Sequence, residues 1–266
     1  MTFRMGVLIL SILLIGAIFG PLLSPYSYSQ TNLANKNSPP SGQHWFGTDD
    51  LGRDLLTRCL YGARISLFVG TAAAFIDLII GILWGGIAAF SGGKTDRIMM
   101  RVADLLFSLP YLLIVILLMV VMGPGLLTIV LAMSVIGWIT MARIVRGQIL
   151  FLKEQEYVLA AKCLGAGFFR ILFRHILPNA KESIIITLIL TISSAIFTEA
   201  FLSFLGLGVQ APAASWGTMA NEGLPALQYY PWRLLFPAML ITLTILALNL
   251  IGDGLQHEKK YGFKFD

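Results

Sequence analysis

Residues 65–90 read ISLFVGTAAAFIDLIIGILWGGIAAF, an unbroken apolar run whose single charge is Asp77. As a helix it reaches about 39 Å at 1.5 Å per residue, more than the roughly 30 Å hydrocarbon core of a bilayer. Outward from this run the same pattern recurs at Met5–Leu23, Leu105–Met122, Leu126–Ala142, Ser183–Thr198 (continuing past Glu199 to about Leu205) and Leu234–Gly252. The expectation is an all-α integral membrane protein with six transmembrane helices. Composition agrees: the 266 residues are 57% hydrophobic and 12% charged, with a mean hydropathy of +0.80, whereas soluble domains carry about 25% charge. Disordered, collagenous and disulfide-rich classes are excluded. Ser24-Pro25 ends the first run, which lacks a clear small-x-small cleavage site and reads as an uncleaved helix. Pro110 predicts a kink within the third run, and Gly123-Pro124-Gly125 a tight turn after it. Gly81, Gly85 and Gly86 suit close helix packing.

An even number of spans puts both termini on one side, and the Lys and Arg residues select the cytosolic side. With cytosolic termini, the inside set is Arg4, Lys94, Arg97, Arg101, Arg143, Arg146, Lys153, Lys162, Arg170, Arg174, Lys181, Lys259, Lys260 and Lys264. Only Lys36, Arg53, Arg58, Arg64 and Arg233 fall outside. The net charge of +5 therefore reads as topology, since the basic residues flank spans rather than cluster with aromatics as in a nucleic-acid site. Cys59 and Cys163 fall on opposite sides of this map and cannot pair within one chain.

Three segments outside the spans have room for function: 24–64 and 206–232 outside, 143–182 inside. The chain divides into residues 1–64, a first helix with its external loop, and residues 65–266, a core of five helices. Ser91-Gly92-Gly93-Lys94-Thr95 approaches a phosphate-binding loop, but Ala88 stands where the first glycine is required and no buried strand precedes it. His44, His175 and His257 are too scattered for a metal site. No catalytic motif is present, so neither a metal centre nor a cofactor on this chain is expected.

In the internal segment, Tyr157, Ala160, Ala161 and Leu164 recur at helical spacing, and Gly165-Ala166-Gly167 ends the pattern. Taken alone, this is an amphipathic helix with small residues at its middle, suited to a membrane surface or to close docking. Ala160-Ala161, Gly165 four residues later and Leu177-Pro178 twelve further on resemble the E-A-A-x-x-x-G-x(9)-I-x-L-P signature of binding-protein-dependent ABC import permeases. Leu159 replaces the glutamate and His175 the isoleucine. Glu156 and His175-Ile176-Leu177-Pro178-Asn179 resemble instead the oligopeptide, dipeptide and nickel branch. His44-Trp45-Phe46-Gly47-Thr48-Asp49-Asp50-Leu51-Gly52-Arg53-Asp54 and Ser203-Phe204-Leu205-Gly206-Leu207-Gly208-Val209 with Ser215-Trp216-Gly217 are similar to other segments of that branch, in its second, C-type permease subunit.

The resemblance implies a type I ABC importer permease fold and a chain that forms half of a peptide pathway. It also implies a second homologous permease subunit, two cytosolic ABC ATPases carrying ATP and Mg, and an external solute-binding protein. Residues 156–167 become the coupling helix, with Glu156, Tyr157, Ala160, Ala161, Lys162, Leu164, Gly165, His175, Leu177 and Pro178 as ATPase-coupling residues. Asp77 and Glu199, acids within spans, either line the pathway or bond between helices. Asp104 is expected to pair with Arg101 or be solvated. Trp45, Phe46, Gly47, Asp49, Asp50, Arg53, Asp54 and Trp216 are candidates for external docking or, for the aromatics, for membrane-interface anchoring. Nickel or metal-chelate import, an ion-coupled secondary transporter and a membrane enzyme are the alternatives. The last two lack, respectively, an inverted repeat and catalytic residues.

Overall fold

The computed structural model describes residues 2–261, with side chains to residue 257; Lys264 of the expected inside set, and the side chains of Lys259 and Lys260, lie outside the described residues. Helices α1 (Thr2–Leu23), α2 (Leu55–Ser91), α3 (Gly93–Phe107), α4 (Tyr111–Met122) and α5 (Leu126–Leu152) are followed by the short α6 (Glu156–Cys163) and α7 (Phe168–Ile171). Then come α8 (Leu177–Leu202), α9 (Trp216–Gly223) and α10 (Trp232–Tyr261). Wider turns at Leu172–Ile176 and Ser203–Leu207 extend α8 at both ends. Among the described residues, five helical stretches are long and apolar enough to cross a membrane, six if α3 and α4 count as one broken span.

That break falls at Pro110, where a kink in the third run is expected, and it is sharp enough to divide the run into two helices. α3 and α4 meet at 81°, and α4 alone is about 18 Å long, short of a roughly 30 Å core. Pro110 supplies no N–H and disfavours helical geometry at Leu109, while Ser108 Oγ closes the end of α3 on Leu105 O at 2.7 Å. α3 is held by charge: Arg146 of α5 grips Asp96 through Nε and Nη2, each at 2.6 Å. Asp104 pairs with Arg143 at 2.9 Å rather than with the expected Arg101.

α2 also differs from expectation, starting at Leu55 rather than near Ile65, so the loop before it is 24–54. Asp54 accepts from Thr57 N at 2.8 Å and caps the helix. The charges that hid this turn from a hydropathy reading all have partners. α2 packs against α5, where a Cβ on Gly81 would stand 2.6 Å from Met141 Cβ; this close approach is the packing expected of that glycine. α1 leans on α2 and α10. Pro21 lacks an N–H, which leaves Ala17 O without its helical partner, and Arg64 Nε donates to that oxygen at 2.6 Å. Cys59 is fully buried and Cys163 exposed.

Candidate functional site

The loop 24–54 and α9 lie at the end of the bundle where α2 begins; α6 lies at the other, where Lys153 Nζ donates to Ala89 O near the end of α2. α6 starts with Glu156 and has Lys162 in its last turn, each favourable to the helix dipole. Gly165 stops it at φ +79°. Its N–H donates to Lys162 O and that of Ala166 to Ala161 O, both at 3.0 Å, the paired bonds of a glycine-terminated helix.

Val158 turns inward to a cluster with Val145, Ile149, Ile171, Leu172 and Ile176, at the feet of α5 and α8, and Ala161 is buried on the same short helix. Tyr157, Ala160, Lys162 and Gly165 are exposed, and Leu164 is 89% exposed. Tyr157, Ala160, Ala161 and Leu164 therefore do not share one buried face: Ala161 anchors while the other three face out. His175 lies in the wide turn before α8, where its carbonyl accepts from Asn179 Nδ2 at 2.6 Å. Leu177 and Pro178 open α8, a position that tolerates proline's missing donor.

A cavity of about 470 Å³ opens between α2, α3, α4, α5 and α8. Asp77 forms its inner wall, 4% exposed, opposite Gly137, whose missing Cβ leaves room for the carboxylate. Asp77 Oδ1 and Tyr111 Oη are both buried with no hydrogen-bond partner. Thr140, Thr187, Thr191, Ser194 and Thr198 add hydroxyls. Sequence reasoning singled out Asp77 but missed Tyr111 and these hydroxyls, although Thr187, Thr191, Ser194 and Thr198 recur at helical spacing along α8.

Glu199 is placed differently. It is 0% exposed and accepts from Ser66 Oγ at 2.8 Å and Ser203 Oγ at 2.7 Å, while Ser66 Oγ accepts from Trp216 N. The carboxylate thus ties α2, α8 and the start of α9 together and does not line the cavity.

Most of the external candidates also turn inward. Asp49 accepts from Arg53 Nε at 2.6 Å and pairs with Arg58, which reaches Glu222 at 2.9 Å. Burial raises the Asp49 pKa, but the Arg58 and Arg53 charges and backbone N–H groups outweigh it and hold the carboxyl below its ordinary value. Asp54 meets His44 Nδ1 at 2.9 Å. Phe46 stacks on Phe236 at 3.9 Å, and Trp216 Nε1 donates to Cys59 O at 2.9 Å. Gly47 is buried, whereas Trp45 is exposed and Asp50, paired with Arg233 at 3.2 Å, is half-exposed.

A bundle of apolar spans around a largely apolar cavity with a buried acid on its wall, and with a short exposed helix at one end, is the architecture of a multi-pass membrane permease. The chain belongs to the family of binding-protein-dependent transport system inner membrane components, which it matches over residues 78–257. Residues 2–40 match the N-terminal TM domain of oligopeptide transport permease C. The chain is 61% identical over 251 residues to the oligopeptide transport system permease protein OppC of Bacillus subtilis, covering 94% of this chain and 82% of that one. It is 58% identical to the dipeptide transport system permease protein DppC of the same organism, over 94% and 79%. A chain from an inward-facing structure of the MetNI methionine ABC transporter superposes with a TM-score of 0.60 at 16% identity, over 73% of this chain and 93% of that one. The fold is therefore that of a type I ABC importer permease.

Proposed function

We infer that this chain is one of two homologous permease subunits in an ATP-driven peptide importer, and that α6 with its glycine turn is the coupling helix. The observation that carries this reading is the double character of α6. Its outer face leaves Tyr157, Ala160 and Leu164 bare, while Val158 fastens it to the feet of α5 and α8, two of the five helices that line the cavity. A partner that moves α6 moves the cavity walls as a rigid body. Peptide cargo is supported by the relatives named above, and cytosolic termini by the distribution of Lys and Arg. ATP and Mg are assigned to two cytosolic ATPase subunits, one of which docks on α6. A solute-binding protein delivers cargo at the opposite end, where Trp45 and Asp50 face outward.

The test is Gly165→Arg in the assembled complex. The left-handed geometry at φ +79° costs a side-chain-bearing residue about 1–2 kcal/mol, and the substitution puts a bulky charge beside the docking face. The expected protein inserts normally but loses its ATPases, or keeps them with hydrolysis uncoupled from uptake, while Gly165→Asn retains most function because asparagine tolerates this conformation. ATPase co-purification and peptide uptake are measured on one preparation. Full retention with wild-type uptake in Gly165→Arg rejects the coupling assignment.

A further inference from the structure

The cavity beside Asp77 carries more hydrogen-bond acceptors than donors, the hydroxyls of Tyr111, Thr140 and Ser194 being the donors on its wall. The hydroxyls of Thr187, Thr191 and Thr198 each donate to the carbonyl four residues back, at 2.7 to 2.8 Å, which commits their protons and leaves oxygen lone pairs as acceptors. Asp77 Oδ1 is a buried acceptor with nothing to accept from, and Tyr111 Oη lies buried and unpaired on the same wall. No Lys, Arg or His lines the cavity. Ser134 is a side-chain hydrogen-bond partner of Asp77, but a buried acid with one oxygen left unserved is costly within a membrane unless something meets it. The rest of the wall, including Met133, Ile136 and Leu190, is apolar, and the volume suits a small organic group rather than a bare ion.

We propose that this cavity is a subsite for the amino-terminal residue of the transported peptide, with the α-ammonium on Asp77 and Tyr111 and the first side chain against Met133, Ile136 and Leu190. An ammonium brings three donors and no acceptor, the complement of this wall; a carboxylate would find no donor with a positive charge. The assignment rests on the peptide-import reading and adds which end of the cargo the chain holds.

The test uses the complete complex of both permeases and both ATPases in lipid nanodiscs without binding protein, so that the binding protein's own preference does not enter. Radiolabelled trialanine is displaced by unlabelled competitors. Trialanine amide, which keeps the ammonium, is expected to compete as well as trialanine; N-acetyl-trialanine is expected to be weaker by about tenfold or more, the scale of one charge-assisted hydrogen bond. Asp77→Asn is expected to weaken trialanine about tenfold without changing N-acetyl-trialanine, and Tyr111→Phe, which keeps the ring, about fivefold. Equal competition by N-acetyl-trialanine, displacement by sodium at constant ionic strength, or no saturable binding to the wild-type complex overturns the subsite. Strong competition by an N-acetylated peptide carrying a lysine overturns the α-ammonium assignment in favour of a side-chain ammonium. ATP-driven peptide uptake, measured separately with binding protein present, fails only if the importer reading itself is wrong.

Discussion

At one end of the bundle, Asp49, Arg53, Asp54 and Arg58 turn inward and pair with one another, His44 and Glu222; at the other, α6 turns Tyr157, Ala160 and Leu164 outward and leaves them bare. Asp49, Arg53, Arg58 and Glu222 form a closed set of ion pairs, and closure is what a framework needs to hold a loop against α9 and α10. An apolar helix face in a region outside the spans has no such closure and gains by being covered. The difference teaches that a conspicuous motif marks a docking surface only where its own protein leaves it unsatisfied.

Breaking the closed end is expected to have the largest effect. Arg58→Met removes the more buried of the two guanidiniums that pair with both Asp49 and Glu222, leaving Arg53 as their shared partner, and loss of a charged hydrogen-bond partner from a buried carboxylate costs about 1–3 kcal/mol; thermal unfolding of the purified protein, with recovery of folded material, measures it. An unchanged midpoint would show that the ion pairs are ornaments of the loop rather than its framework. Next comes the open end. Leu164→Asp is expected to leave unfolding within about 0.5 kcal/mol of wild type, as exposed substitutions usually do, and yet to weaken ATPase retention at least tenfold in co-purification. Destabilisation with intact retention would reverse the roles of the two ends.

Acid sharpens the comparison further. Because the folded pKa of Asp49 lies below the ordinary 3.8, its contribution is complete above that value and is lost as pH falls through the folded pKa. The 24–54 segment is therefore expected to hold from pH 7 down to about 4 and to loosen only below that, as read by limited proteolysis across pH; loosening near pH 6 would contradict the pairing. The smallest perturbation is thiol labelling. Cys163 is expected to react with an impermeant reagent in inside-out vesicles, and Cys59 to stay protected from either side until the protein unfolds, because it is fully buried. This replaces the expectation from the sequence map alone that Cys59 is reachable from outside.

Much of this architecture can be read from residue order because lipid imposes a simple rule: a run of apolar residues must be long enough to cross. That rule locates α1, α2, α5, α8 and α10 but not their ends, since helices continue past the apolar core wherever charges find partners, as Arg58 and Arg64 do in α2. It also overlooks the α3–α4 break, where a single proline outweighs continuous hydropathy. At the site, the periodicity of Tyr157 to Leu164 and the Gly165 stop reveal the existence of α6. They do not reveal which face is bare, because alanine suits either environment. Arg58 and Glu222 are separated by 164 positions, and nothing local to either announces the other. The same holds for the division between Asp77 and Glu199: Ser66 and Ser203 claim one acid and a gap at Gly137 receives the other, an outcome decided by packing.

The bond from Arg64 to Ala17 carries a consequence for how the chain is made. The first helix emerges from the ribosome with Pro21 already in place and one carbonyl oxygen already deprived of its donor. The donor is encoded 47 residues later and arrives only when the second helix has been synthesised. Until then the C-terminal end of α1 holds an acceptor that lipid cannot serve, so this end of the helix is best accommodated near water or beside the insertion machinery. Biogenesis of the first two helices is thereby joined, and α1 gains its full stability in the bilayer as half of a hairpin whose second helix brings the missing hydrogen-bond donor.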